Sequence, residues 1–132
     1  MKKSILLLLC CIFFLVACSK EDTPSVSGTY VMEVEQEDKE KIVFPSFFID
    51  TEKKEFTFSY DMLSSYFSMG TYEIKENLLT ATTSDNQYHY VFKIIDDNTL
   101  SFVEASSSEI KVIDTNFFVV PQDGAIFKKI EK

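Results

Sequence analysis

The chain has 132 residues, a formal net charge of −8 and no arginine, so every side chain that is positive at neutral pH is a lysine. This balance argues against a nucleic-acid partner, because phosphates would be repelled and the guanidinium fork that reads guanine is missing. Once an N-terminal signal is set aside, the length predicts a single domain that can bury a real core.

Residues 1–17 have the parts of a secretory signal. Lys2 and Lys3 make a short positive region, and an uninterrupted apolar run follows over residues 5–16. The run is too short to cross a hydrocarbon layer, which needs about 20 residues in a helix. We therefore predict that residues 1–17 are a signal helix that is cleaved from the mature chain.

The end of this segment, Leu15-Val16-Ala17-Cys18, resembles the lipobox of bacterial lipoproteins. In that family the cysteine sulfur receives a diacylglyceryl group, and cleavage makes the cysteine the first residue of the mature chain. The resemblance implies that Cys18 is lipidated and holds the protein to a membrane, since two acyl chains anchor firmly where one does not. The alternative is an ordinary signal peptide with a coincidental cysteine. Cys10 and Cys11 would leave with the signal, so no disulfide or thiolate metal site is expected.

Residues 18–26 are polar and contain a proline, which is typical of a flexible tether. Within them, Lys20-Glu21-Asp22 resembles the surface-export signal of Bacteroidota lipoproteins, and an ordinary solvated spacer is the alternative. The expected location is the bacterial cell envelope, either on the outer face of the cytoplasmic membrane or on the outer membrane.

Residues 27–132 alternate between apolar and polar side chains, and turn residues recur about every 8–12 positions. Pro45 predicts an edge or a bulge, because proline cannot donate to a ladder. Asp61 could cap a short helix. Tight turns join successive segments, so we predict an all-β domain, an antiparallel meander of eight to ten short strands that closes fully or partly into a barrel, with at most one short helix near 61–67. The candidate strands are 28–36, 42–50, 55–60, 70–76, 78–83, 88–95, 100–105, 110–113, 117–120 and 125–130.

Several segments of this domain resemble lipocalins and small lipocalin-like bacterial lipoproteins. Gly28-Thr29-Tyr30 is similar to the opening Gly-x-Trp of that family, with tyrosine in place of tryptophan. The segments 70–74, 78–80, 88–97 and 99–102 resemble the family's meander. The resemblance covers about residues 27–130 and implies a small antiparallel barrel, which in some members holds an apolar ligand. The chain lacks the arginine that packs on the opening aromatic ring, and fold alone does not fix function.

Two sets of apolar side chains are candidate binding residues. The first set faces inward by alternation and either lines a cavity for an apolar small molecule or forms the solid core usual in small barrels: Phe56, Phe58, Tyr60, Tyr72, Ile74, Tyr90, Phe92 and Phe102. The second set lies between two predicted strands: Met62, Leu63, Tyr66, Phe67 and Met69. If exposed, the second set suits a lid or a protein partner, and if folded over the barrel mouth it is a plug.

Polar side chains give little support for catalysis or metal binding. His89 is the only histidine, and the sequence links it to neither an orienting partner nor a nucleophile. Glu33 and Glu35 share one face of a predicted strand and are interpreted as solvated. The segment 96–98 lacks the glycine and the distal glutamate of a calcium loop, so a hairpin turn is expected there. We therefore expect no enzyme activity, no cofactor and no metal.

These features predict a non-enzymatic, lipid-anchored envelope protein that binds an apolar small molecule. The alternative is an interaction or inhibitor module that acts on another envelope protein through residues 62–69. The sequence leaves the oligomeric state open.

Overall fold

A computed structural model describes residues 24–41 and 43–131, so the predicted signal peptide, Cys18 and most of the tether lie outside the described residues. Eight strands form a closed antiparallel barrel in which each strand pairs with its neighbours along the chain and the last strand pairs with the first. This confirms the predicted all-β meander. The strands are β1 (Gly28–Met32), β2 (Ser46–Asp50), β3 (Glu55–Ser59), β4 (Ser68–Lys75), β5 (Leu78–Thr83), β6 (His89–Asp96), β7 (Thr99–Phe102) and β8 (Ile126–Lys129).

Alternation of side chains decides which face of each strand is buried. In β3, Phe56 and Phe58 are buried while Glu55 and Ser59 are exposed. In β6, Tyr90, Phe92 and Ile94 face inward in the same way. An eight-stranded barrel is just wide enough for such side chains to fill its interior, so the inward rows of all eight strands make one core.

The two ends of the barrel differ in their connections. At the end where β1 begins, the turns 51–54, 76–77 and 97–98 are short; we call this the tether end, because β1 follows the predicted tether. At the opposite end the connections are 33–45, 60–67, 84–88 and 103–125; we call this the distal end. The long connections therefore gather at the end farther from the tether.

Tyr30 closes the tether end. Its ring is fully buried, and its hydroxyl donates to the carbonyl oxygen of Asp97 at 2.6 Å and accepts from the N–H of Ser27 at 3.3 Å. The N–H of Ser25 donates to the Asp97 carboxylate at 2.9 Å. Burial raises the pKa of the Tyr30 phenol, so it stays a neutral donor. Tyr30 thus fastens the start of β1 to the β6–β7 turn.

The segment 61–67 is not helical, so the one short helix that the sequence allowed there does not form. The Asp61 carboxylate accepts from the N–H groups of Leu63 and Ser64, as a cap would, but the chain then turns away. The Ser64 hydroxyl accepts from the N–H of Tyr66 at 3.1 Å. Such local side-chain bonds compete with helical ones, which explains why the capping signal produced a turn and not a helix.

Several predicted strand bounds also needed correction. Segments 110–113 and 117–120 are not strands; Phe118 makes only an isolated parallel bridge with Val43. The first strand ends at Met32, so Glu33 and Glu35 lie beyond it and do not share a strand face, and a 3-10 helix follows over Gln36–Glu40. Pro45 immediately precedes β2, and its carbonyl oxygen accepts from the N–H of Met32 at 2.9 Å. Because Pro45 lies outside the strand, its missing N–H costs no ladder bond.

Candidate functional site

The eight side chains of the first predicted set all belong to the interior of the barrel. Phe56, Phe58, Tyr90, Phe92 and Phe102 are buried. The other three are partly buried and pack against the same core: Tyr60, Tyr72 and Ile74. The sequence therefore assigned the inward face correctly, and whether these side chains also line a ligand cavity stays a prediction.

The interior rings pack directly against one another. The ring centroid of Phe58 lies 5.0 Å from that of Tyr90 and 5.6 Å from that of Phe92, and both pairs are edge-on. Phe47 lies 4.5 Å from Phe92, and Phe127 lies 5.3 Å from the same ring. Such pairs add about 0.5–1.5 kcal/mol each beyond the burial of their area. The rings thus fill the middle of the barrel as a core does.

Phe47 and Phe127 were missed as members of this cluster. Phe47 stands next to Phe48, and a run of two phenylalanines does not reveal which of them faces inward. In the structure Phe47 is fully buried and Phe48 is 39 % exposed. The pairing of Phe47 with the inward-facing Phe58 across β2 and β3 was the signal that could have decided it.

A cluster of hydroxyl groups lies at the distal edge of the core. The hydroxyls of Tyr60 and Tyr90 are 3.0 Å apart, and the Ser68 hydroxyl donates to that of Tyr60 at 3.1 Å. Burial raises the pKa of the Tyr90 phenol far above its usual range. The three groups satisfy one another without a charge, so the polar end of the core is stable in a neutral form.

The second predicted set is exposed at the distal end, so the plug alternative is wrong. Met62 and Phe67 are each 75 % exposed, and Leu63 is 59 % exposed. We call the set the distal patch; its members are Met62, Leu63, Tyr66, Phe67 and Met69. Apolar side chains exposed together on one loop are typical of an interaction surface.

The loop that carries the distal patch is fixed at both of its ends. At one end the Asp61 carboxylate also accepts from the N–H of Ile113 at 2.8 Å, which ties the loop to the connection after β7. At the other end the Tyr66 hydroxyl donates to both oxygens of Asp85, at 2.8 and 3.0 Å. The Thr83 hydroxyl and then the N–H of Gln87 lower the pKa of the Asp85 carboxyl, so it accepts as a carboxylate. The patch is therefore displayed on a held loop, not on a free one.

Beside the distal patch is an open cleft of about 480 Å³, which we call the distal cleft. The rings of Tyr66 and Tyr88 meet at its wall with centroids 5.2 Å apart and planes at 68°. Its lining mixes aromatic and polar side chains: Tyr60, Ser64, Tyr66, Gln87, Tyr88, Ser108, Glu109 and Lys111. Sequence reasoning missed the cleft, because its walls come from three separate connections and no local pattern joins them.

A shallow groove continues from the distal patch along the outer wall. It holds about 280 Å³ and is lined in part by Phe48, Thr57 and Met69, which lie side by side on β2, β3 and β4. Phe48 and Met69 are 39 % and 48 % exposed. The apolar surface of the distal end therefore extends down one side of the barrel.

His89 is exposed on β6, and the serine run 106–108 lies beside it. The main-chain N–H of His89 donates to the Ser108 hydroxyl at 3.0 Å, and the Ser108 N–H donates to the His89 carbonyl oxygen at 2.8 Å. The Ser107 hydroxyl accepts in the same way from Val91 at 2.8 Å. These hydroxyls extend the β6 ladder by binding main-chain groups, so their placement does not depend on the imidazole.

Within residues 24–41 and 43–131, no three His, Cys, Asp or Glu side chains come together as metal ligands would. No helix in the same ranges is both long and apolar enough to cross a membrane. Comparison of the chain with protein-family models, with curated proteins and with solved structures gave no match.

Proposed function

We propose that this chain is a lipid-anchored protein of the bacterial cell envelope that works as an interaction module, with the distal patch as its contact surface for another envelope protein. One observation carries the proposal: apolar side chains are exposed on a held loop at the end of the barrel opposite the tether. Lipid on Cys18 provides the membrane attachment in this proposal. It rests on the signal and lipobox resemblance of residues 1–18.

The position of the patch favours a protein partner over the anchoring membrane. The predicted tether, residues 18–26, reaches at most roughly 32 Å, and it joins the barrel at the end where β1 begins. The distal patch lies at the other end of the strands, beyond the length of the barrel wall. A barrel that stands on its tether end presents the patch away from that membrane.

The chemistry of the patch indicates what such a partner offers. Leu63 and Phe67 would each contribute about 1.5–3 kcal/mol on full burial, part of which offsets the entropy lost on association. Asp61 and Asp85 stand beside these side chains, and the whole chain carries a net charge of −8. A partner surface with an apolar hollow and lysine or arginine at its rim matches both features.

The interior of the barrel gives less support to the alternative function, in which the protein binds an apolar small molecule. Phe58, Phe92 and Phe127 fill the middle of the barrel through direct ring contacts. A dye that brightens in apolar surroundings tests this version: brightening that Phe92→Ala abolishes would favour an internal site. Brightening that only Phe67→Ser abolishes would assign the dye to the distal patch.

Cross-linking in the native envelope tests the proposal. A photoreactive amino acid replaces Phe67 in the full chain, and a matched variant carries it at Glu76, which is exposed in the tether-end turn 76–77. We expect one discrete protein adduct from position 67 and none from position 76. Adducts to lipid alone from position 67, or equal adducts from both positions, would overturn the partner surface. Fatty-acid labelling that persists in Cys18→Ser would separately overturn the anchor.

A further inference from the structure

We infer that the distal cleft binds a neutral sugar, with the rings of Tyr66 and Tyr88 as its stacking wall. The site is separate from any protein contact at Met62, Leu63 and Phe67, although the two share Tyr66. The inference therefore does not rest on the proposed partner, and either one can fail without the other.

The size and shape of the cleft fit a small ligand. Its volume of about 480 Å³ falls within the range of about 300–1,000 Å³ in which small-molecule sites occur. Tyr66 and Tyr88 stand edge to face, so together they form a corner with one ring as its side and the other as its floor. Both residues are at least a third exposed, at 36 % and 37 %, so part of each is open to a ligand.

Polar groups surround these rings in the pattern that a sugar requires. Gln87 brings a carbonyl oxygen and an amide, Glu109 brings acceptors, and Lys111 brings a donor. The Ser108 hydroxyl already accepts from the N–H of His89, which leaves its proton free to donate. A pyranose presents C–H groups on its faces and hydroxyls around its edge, so it can stack on a ring while it bonds to groups of both kinds.

The charges of the site disfavour anionic ligands. Glu109 and Lys111 form an exposed ion pair at 3.2 Å, so the cleft has no excess of positive charge of its own. The net charge of −8 opposes phosphate, sulfate and carboxylate ligands, and so nucleotides and acidic sugars are disfavoured. An uncharged ligand with many hydroxyls satisfies the lining without meeting this repulsion.

The stacking wall is held in place before a ligand arrives. The Tyr66 hydroxyl donates to the Asp85 carboxylate, and that carboxylate also accepts from the Thr83 hydroxyl at 2.7 Å and from the Gln87 N–H at 3.0 Å. One turn residue thus positions both Tyr66 and the backbone that carries Gln87 and Tyr88. A wall that is already ordered loses little entropy when a sugar stacks on it.

Amide chemical shifts of the lipidated protein, kept in a detergent without a sugar headgroup, test the site. The probes are maltotriose, cellotriose, mannotriose and triacetylchitotriose, with trigalacturonate as the charged comparison. At least one neutral trisaccharide is expected to shift the amides of Gln87, Tyr88 and Glu109 with saturation at millimolar concentration. No saturating shift at these amides from any neutral probe would overturn the inference, and so would tighter binding of trigalacturonate.

Two variants separate stacking from a general effect on the fold. Tyr88→Ala removes one ring and should weaken the sugar about tenfold, while Tyr88→Phe keeps the ring and should bind nearly as the parent does. Phe67→Ser is the matched control, since it alters the distal patch and leaves the cleft lining intact. Equal binding by Tyr88→Ala and the parent would overturn the stacking wall. Retained sugar binding in Phe67→Ser, together with a cross-link from position 67 that persists in Tyr88→Ala, would separate the two sites.

Discussion

Replacement of Gly70 by alanine should destabilise the barrel more than any other glycine substitution in the described part of the chain. Gly70 lies inside β4 and opposite Thr83 of β5. A Cβ atom built on Gly70 would overlap the carbonyl oxygen of Thr82, and it would lie 2.8 Å from the nitrogen of Ser84 and 2.9 Å from the carbonyl carbon of Thr83. All three are main-chain atoms, so no side chain can rotate away to make room.

The size of the destabilisation by Gly70→Ala follows from this crowding. Overpacking usually costs about 1–3 kcal/mol, and a clash with main-chain atoms belongs at the upper end because two paired strands must separate to relieve it. For a domain of this size, about 3 kcal/mol lowers the melting temperature by roughly 12–24 °C. Thermal unfolding of the mature protein, followed by circular dichroism, measures the shift directly.

Gly124→Ala provides the matched control. Gly124 has a φ of +76°, and a Cβ atom there would meet nothing within 4 Å. Its substitution should therefore cost only the backbone strain of the left-handed region, about 1–2 kcal/mol. If Gly124→Ala lowered the melting temperature as much as Gly70→Ala does, close approach of β4 and β5 would not be the reason for the glycine in β4.

Two further predictions concern the two ends of the barrel. Tyr30→Phe removes the donor to the Asp97 carbonyl oxygen and should lower the free energy of unfolding, measured in urea, by about 0.5–1.5 kcal/mol. An unchanged urea midpoint would show that this bond does not fasten the tether end. Asp85 has a lowered folded-state pKa, so its contribution to stability is present above the unfolded value of about 4 and is lost as the pH falls through the folded pKa. In Asp85→Asn, the melting temperature should therefore fall less steeply as the pH is lowered. An equally steep fall in the variant and the parent would contradict this role.

Most of the barrel wall could be predicted from local pattern. The alternation of Phe56 with Phe58 and of Tyr90 with Phe92 fixes which face of each strand is buried, because a slip of one residue would reverse every side chain. The short turns between these strands fix their antiparallel order. Closure depends on the pairing of β1 with β8, which joins residues far apart in sequence and leaves no local signal.

The distal end could not be predicted to the same degree. Ile110, Phe118 and Val119 are buried, so their segment has the apolar pattern of a strand although it packs on the core without joining a ladder. The residues of the distal patch were named from the sequence, but their exposure depends on where Asp61 and Asp85 tie the loop. Those ties cross between connections, and alternation along one segment carries no information about them.

The unequal connections at the two ends have a consequence for how this scaffold tolerates change. The wall is complete in itself, because β1 and β8 pair and leave no open edge between them. Insertions or exchanges in the exposed parts of the distal connections therefore alter what the protein presents without breaking a ladder, whereas a longer tether-end turn would disturb a hairpin. The barrel is thus suited to loop grafting, with the tether end kept as a base and the exposed distal loops free to diversify.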